Sequence, residues 1–175
     1  IGESVPEFAP KAERAILEYY SSETRAGPRG ECLLRLGEMG SREGFPVVAR
    51  AAHSSDNAMQ RAAVYALGNY LKIPAQEGLA RKELTKIARE GSGTGMAAPL
   101  AIKLMANHGA REIASVVPKA LRKGANPMEL EAGAFAAGKL KLKDTRALLN
   151  ERLGDQENPM VRQSLDAAIK ELDKK

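Results

Sequence analysis

Tryptophan is absent from the 175 residues, and three phenylalanines and four tyrosines bring the aromatic share to only 4%. A β-sandwich or barrel wants Val, Ile, Tyr and Phe in alternation, and no stretch of the chain supplies it. The one cysteine, Cys32, excludes an internal disulfide and any cysteine-based zinc site. The two histidines, His53 and His108, lie far apart in sequence without clustered carboxylates, a poor metal set, and they read as solvated residues beside loops. No metal and no cofactor is expected. No apolar run approaches the roughly 20 residues a membrane span requires. A large excess of one charge is also missing: 27 Lys and Arg stand against 22 Asp and Glu, a net charge of +5. That favours mild attraction to anionic partners and falls short of a nucleic-acid signature. The chain opens at Ile1 rather than Met, as after loss of an upstream segment. The compartment therefore stays open between the cytoplasm, which is favoured, and an exported or periplasmic location.

What is present is alanine and leucine, both strong helix formers, in a chain with a 43% hydrophobic share. The reading is an all-α fold in one domain, residues 1–175. A local pattern recurs: Asn57-Ala58-Met59, Asn126-Pro127-Met128 and Asn158-Pro159-Met160, with a looser version at Thr94-Gly95-Met96. The methionines Met59, Met96, Met128 and Met160 follow one another at intervals of 37, 32 and 32 residues. Turn-forming residues precede each, and Asn or Thr there can cap a helix, with Pro pre-set for its first turn. Small-residue helices follow: Arg61 to Gly68, Glu131 to Gly138, Ala97 to Met105 and Val161 to Leu172, with Arg29 to Gly37 in the same series. Between them lie segments with their own 3.6-residue apolar period, at about 44–54, 75–90, 110–123 and 142–153, and an opening helix near 8–21. Pro118 falls inside one of them and predicts a kink there. The result is about five antiparallel helix pairs, in repeats of roughly 8–40, 41–71, 72–107, 108–139 and 140–172. Such short pairs bury their apolar faces only by stacking on neighbours.

The run Asn57 to Gly68 resembles the second helix of a HEAT repeat, in particular the short bacterial type called PBS-lyase HEAT-like, and Asn158 to Ile169 is similar. The resemblance covers about residues 28–172. It implies an α-solenoid, a superhelix of stacked pairs whose second helices line a concave surface. It is nearly silent on function. Neither histidine is followed by Glu, so the His-Glu pairs of the HEAT-repeat di-iron hydroxylases are missing.

No catalytic constellation assembles from these residues. The leading expectation is a non-catalytic interaction scaffold or adaptor with a protein partner, acidic in character. Its partner-facing residues would be Arg35, Asn69, Lys103 and Lys139, polar residues on or just after the second helices. Arg61 and Arg162, each two residues after a repeat Met, are expected to be structural, bonding to Asp56, Asn57, Asp155 or Asn158. The methionines themselves are expected to pack at helix starts, and Cys32 to pack in the core beside Leu33 and Leu36. Late in the chain Lys103, Arg111, Lys119, Arg122, Lys123, Lys139, Lys141, Lys143 and Arg146 give a basic bias, read as a solvated face or as an electrostatic site. Two alternatives remain. One is nucleic-acid binding of the kind seen in HEAT-like DNA glycosylases, less favoured because the chain has no Trp on which a base could stack. The other is a chromophore lyase-type subunit.

Overall fold

The computed structural model describes residues 8–90 and 95–174. Ten α-helices and two short 3-10 segments make up its regular structure, with no strand among the described residues. The helices are α1 (Phe8–Ser22), α2 (Ala26–Met39), α3 (Phe45–Ala51), α4 (Asn57–Tyr70), α5 (Pro74–Glu90), α6 (Ala97–Asn107), α7 (Val117–Ala120), α8 (Pro127–Lys139), α9 (Arg146–Asp155) and α10 (Pro159–Asp173). They divide into two packed units, Ile1–Glu83 and Leu84–Lys175, with the division inside α5.

Three helix starts carry the side-chain caps that the sequence signals. The Asn126 side chain accepts from the Glu129 N–H and the Glu129 side chain accepts in return from the Asn126 N–H, a reciprocal capping box on α8. Asn158 accepts from the N–H groups of Met160 and Val161 on α10. On α4 the cap is Asp56, one residue earlier than expected, with Asn57 already helical. Thr94 lies outside the described residues, and α6 starts at Ala97 with Met96 at the cap position and no side-chain cap.

The stops are equally local. After α2 the chain turns at Gly40, φ +65°, with the Gly40 N–H donating to the Gly37 carbonyl and the Ser41 N–H to the Leu36 carbonyl at 3.0 Å. This is the left-handed stop that glycine makes at no steric cost. Gly109 (φ +70°) repeats it after α6, and Lys141 (φ +54°) repeats it after α8 without the benefit of glycine.

One expected helix is not continuous. Residues 110–123 form a 3-10 segment, Arg111–Ser115, followed by the single turn of α7. Pro118 sits in the first turn of α7, where its missing N–H has no partner to lose, so it begins a turn instead of kinking a long helix. The segment expected at 142–153 likewise opens with a 3-10 turn, Lys143–Thr145, before α9.

In the first unit α2 packs against α1, α3 and α4. Leu33, Leu36, Val48, Val64, Leu67 and Tyr70 are fully buried. Tyr70 meets Phe45 edge to face at 5.1 Å and donates its hydroxyl to the Ser41 carbonyl at 2.8 Å, so its polar end is satisfied. Cys32 is buried in this core, as expected, and burial pushes its thiol pKa up. In the second unit α8 lies against α6, α7 and α10, and α10 also packs on α9. Met105, Ile113, Leu121, Leu149 and Leu165 form the fully buried centre. Cations tie neighbouring segments to one another there: Lys119 donates to the Arg89 carbonyl at the end of α5 (2.8 Å), and Arg111 donates to the Leu140 carbonyl at the end of α8 (3.3 Å). Positive groups at helix C-termini satisfy carbonyls that the helix leaves unpaired.

The repeat methionines behave in two ways. Met59 is buried, but Met96, Met128 and Met160 are 45, 48 and 74% exposed, which corrects the expectation that all four pack. Each lies at the very start of its helix, before the turn that meets the neighbouring helices. Among the described residues no helix is long and apolar enough to cross a membrane.

Candidate partner-binding surface

Helices α8 and α10 approach closely because their facing residues are small. A Cβ added at Gly138 would lie 3.1 Å from the Ala168 Cα, tighter than ordinary van der Waals contact. Where small residues continue along both helices, a groove of about 570 Å³ opens between them. Its lining includes Ala134 and Gly138 from α8 and Ala167 and Ala168 from α10. Phe135 also lines it, an aromatic ring left 36% exposed on a helix most of whose residues are buried.

Charged side chains complete the lining: Glu131, Lys139, Lys141 and Glu171. Lys103, on α6, donates to Glu131 at 2.6 Å. Lys141, held in its left-handed turn, donates to the Glu171 carbonyl at 2.6 Å. Lys174 foremost, with Lys141 behind it, holds the Glu171 carboxyl below the usual carboxylate range. Lys139 is exposed, the last residue of α8, and forms no ion pair among the described residues. Among the described lining residues it is the cation without an ion pair. Ser164 turns its hydroxyl back to the Met160 carbonyl at 3.2 Å, so the groove offers an apolar cleft with charged edges.

Of the residues expected to face a partner, Lys103 and Lys139 thus belong to one neighbourhood in the second unit, the first through Glu131 and the second directly. Arg35 and Asn69 lie in the first unit. Arg35 is exposed on α2 and clasps Glu31 at 3.0 Å and Glu38 at 2.9 Å on its own helix. Asn69 is half-buried near the end of α4 and accepts from Lys72 at 3.4 Å.

The two repeat arginines diverge. Arg162 donates to the carbonyls of Leu153 at 3.0 Å and Gln156 at 2.8 Å, closing the end of α9. Backbone carbonyls, not the expected Asp155 or Asn158, are its acceptors. Arg61 is exposed and forms no side-chain hydrogen bond among the described residues. Much of the late basic bias is spent inside the molecule: Lys103, Arg111, Lys119 and Lys141 are bonded as above, and Arg146 pairs with Asp173.

Phe135 was missed as a site residue by sequence reasoning. A signal existed. In the runs Arg61 to Gly68 and Glu131 to Gly138 an aromatic stands three residues before the glycine, Tyr65 in one and Phe135 in the other. Both are exposed, Tyr65 by 48%, in a chain with few aromatics to spend. Glu171 and Lys141 carried no such signal, because their meeting depends on how α8 and α10 pack. Among the described residues no group of three or more His, Cys, Asp or Glu side chains is placed to hold a metal ion.

No model of a known protein family matches the chain, and no curated protein matches it.

Proposed function

We propose that this chain is a HEAT-like α-solenoid module that acts as a non-catalytic protein-interaction scaffold, with the second helices of its pairs forming the binding face. The observation that carries the reading is the α8–α10 groove, where a half-exposed aromatic and an unpaired lysine border a floor of small residues. Exposed aromatics beside an apolar cleft are the usual anchors of protein interfaces. The ordered ion pairs at the edge, Lys103 with Glu131 and Lys141 with Glu171, fit the polar rim that surrounds such anchors. Lys139 supports an acidic partner, because a carboxylate meeting it has no competing internal acid to displace. The nucleic-acid alternative has less support, since the cations that would follow a phosphate backbone are mostly engaged with carbonyls and carboxylates of the same chain.

The test is quantitative affinity capture from native lysate with three baits: the unaltered chain, Phe135→Ala with Lys139→Glu, and Lys82→Glu as a charge-matched control at an exposed position of α5. A partner that binds through the groove is lost from the double variant, by about thirtyfold or more in affinity for an aromatic hot spot, and is retained by the control. A partner held equally by all three refutes the groove as the binding face.

A further inference from the structure

A second cavity, of about 440 Å³, lies between the loop after α7 and the end of α9, away from the groove. Arg122, Lys123 and Arg152 line it, with Asp155 the carboxylate among the described lining residues. Arg152 is the unusual member, a guanidinium only 5% exposed. Its Nη1 reaches Asp155 at 3.4 Å and its Nη2 bonds Glu151, while its Nε–H has no acceptor. Buried charge is stable only when its donors are satisfied, so one donor of this group stands unspent. Lys123 is exposed and joins no ion pair among the described residues. Arg122 donates to the Lys119 carbonyl at 3.2 Å and holds Glu129, a member of the capping box of α8, at 3.5 Å.

Asp155 is a weak occupant of this position. It is the last residue of α9, where the helix's own carbonyls disfavour a carboxylate. Its side chain is 55% exposed and its contact with Arg152 is long, so water screens the pair. We infer that the cavity is an anion site for a phosphate monoester, which takes Arg152, Lys123 and Arg122 as its donors and displaces Asp155. Arg122 and Arg152 are balanced by Glu129 and Glu151 from outside the lining, so the phosphoryl dianion enters by exchange with Asp155 and draws chiefly on Lys123, which joins no ion pair among the described residues. Three cations converging on one hollow suit a single dianionic group, whereas a phosphodiester backbone, with one charge per unit, asks for cations spread along its track. The site does not depend on the groove reading.

The experiment titrates the whole chain with inorganic phosphate, with a phosphoserine peptide, and with the same peptide unphosphorylated, read by amide and guanidinium NMR. Saturable shifts of the Gly124 and Ala125 amides and of the Arg152 Nε–H are expected with the first two and not with the third. Equal affinity for phosphate and phosphopeptide indicates a free phosphoester as the natural ligand, and tighter binding of the phosphopeptide indicates a modified partner side chain. Lys123→Ala should weaken binding about tenfold, the loss of one charge-assisted contact. Asp155→Asn should tighten it severalfold by removing the internal competitor. Tightening cannot come from a damaged fold, so this variant decides the question even where Arg152→Ala does not fold. Shifts spread evenly over the exposed lysines, or no gain from Asp155→Asn, overturn the proposal. So does duplex DNA that shifts the same resonances and is not displaced by phosphate.

Discussion

Replacing Gly37 by Ala adds one methyl group where two helices touch backbone to backbone. A Cβ at Gly37 would stand 2.7 Å from both the Cα and the carbonyl oxygen of Ala66 on α4. Neither atom can rotate away, so α2 and α4 must separate by about 1 Å to restore an ordinary contact. That separation loosens Leu33 and Leu36 on one helix and Val64 and Leu67 on the other, all fully buried. Overpacking of this kind costs about 1–3 kcal/mol, and rigid backbone on both sides places this site at the upper end. Against it stands the gain from replacing a mid-helix glycine, about 0.5–1 kcal/mol. The net expectation is destabilisation by roughly 2 kcal/mol. Gly78, in α5, has nothing within 4 Å of its added Cβ, so Gly78→Ala isolates the helix term and should stabilise by about 0.5–1 kcal/mol. Urea unfolding followed by far-ultraviolet circular dichroism compares the two. If Gly37→Ala proves neutral or as stabilising as Gly78→Ala, the close α2–α4 approach is not what specifies glycine there.

Other consequences are simpler to test. Leu67, fully buried between the same helices, should cost about 2–5 kcal/mol on truncation to Ala, and a change below about 0.5 kcal/mol in urea unfolding would place its side chain outside the core. Asn126→Ala removes the capping box of α8 and should cost about 1 kcal/mol, with faster amide exchange confined to the first turn of that helix. The Cys32 thiol, buried and with its pKa raised by burial, should react with a thiol reagent at neutral pH far more slowly in the folded chain than in urea. The thiolate is the form that burial disfavours. This residue's contribution to stability is therefore present below the ordinary thiol pKa and is lost as pH rises through the raised folded value. Rapid labelling of the folded chain would contradict its place in the core.

The helical class, the positions of most helices and the caps on Asn126 and Asn158 were legible in the sequence, because they follow from neighbours within a few residues: apolar period, capping side chains, glycine at a stop. The same locality explains the near misses. Asp56 and Asn57 are both good caps, and only the turn before α4 decides between them. Pro118 fits a kink or a helix start, and the packing of α7 on α8 settles it. The exposure of Met96, Met128 and Met160 was hidden for a different reason, since a recurring methionine marks the repeat equally well whether it faces the core or the solvent.

The candidate sites belong to tertiary structure. Lys103 and Lys139 could be named from their helices, but that Lys103 is held by Glu131 while Lys139 stays free depends on α6 and α10 lying on either side of α8. The groove exists because Gly138 meets Ala168, thirty residues away, and no local pattern announces that contact. The buried Arg152 is the clearest case. Its sequence neighbours, Glu151 and Leu153, look like an ordinary solvated helix, and nothing in them tells that the guanidinium is buried, paired with Glu151 and Asp155 and left with an Nε–H that has no acceptor. Local rules act over one or two turns of chain, whereas burial and the competition between partners for one charge are decided by what the fold brings alongside.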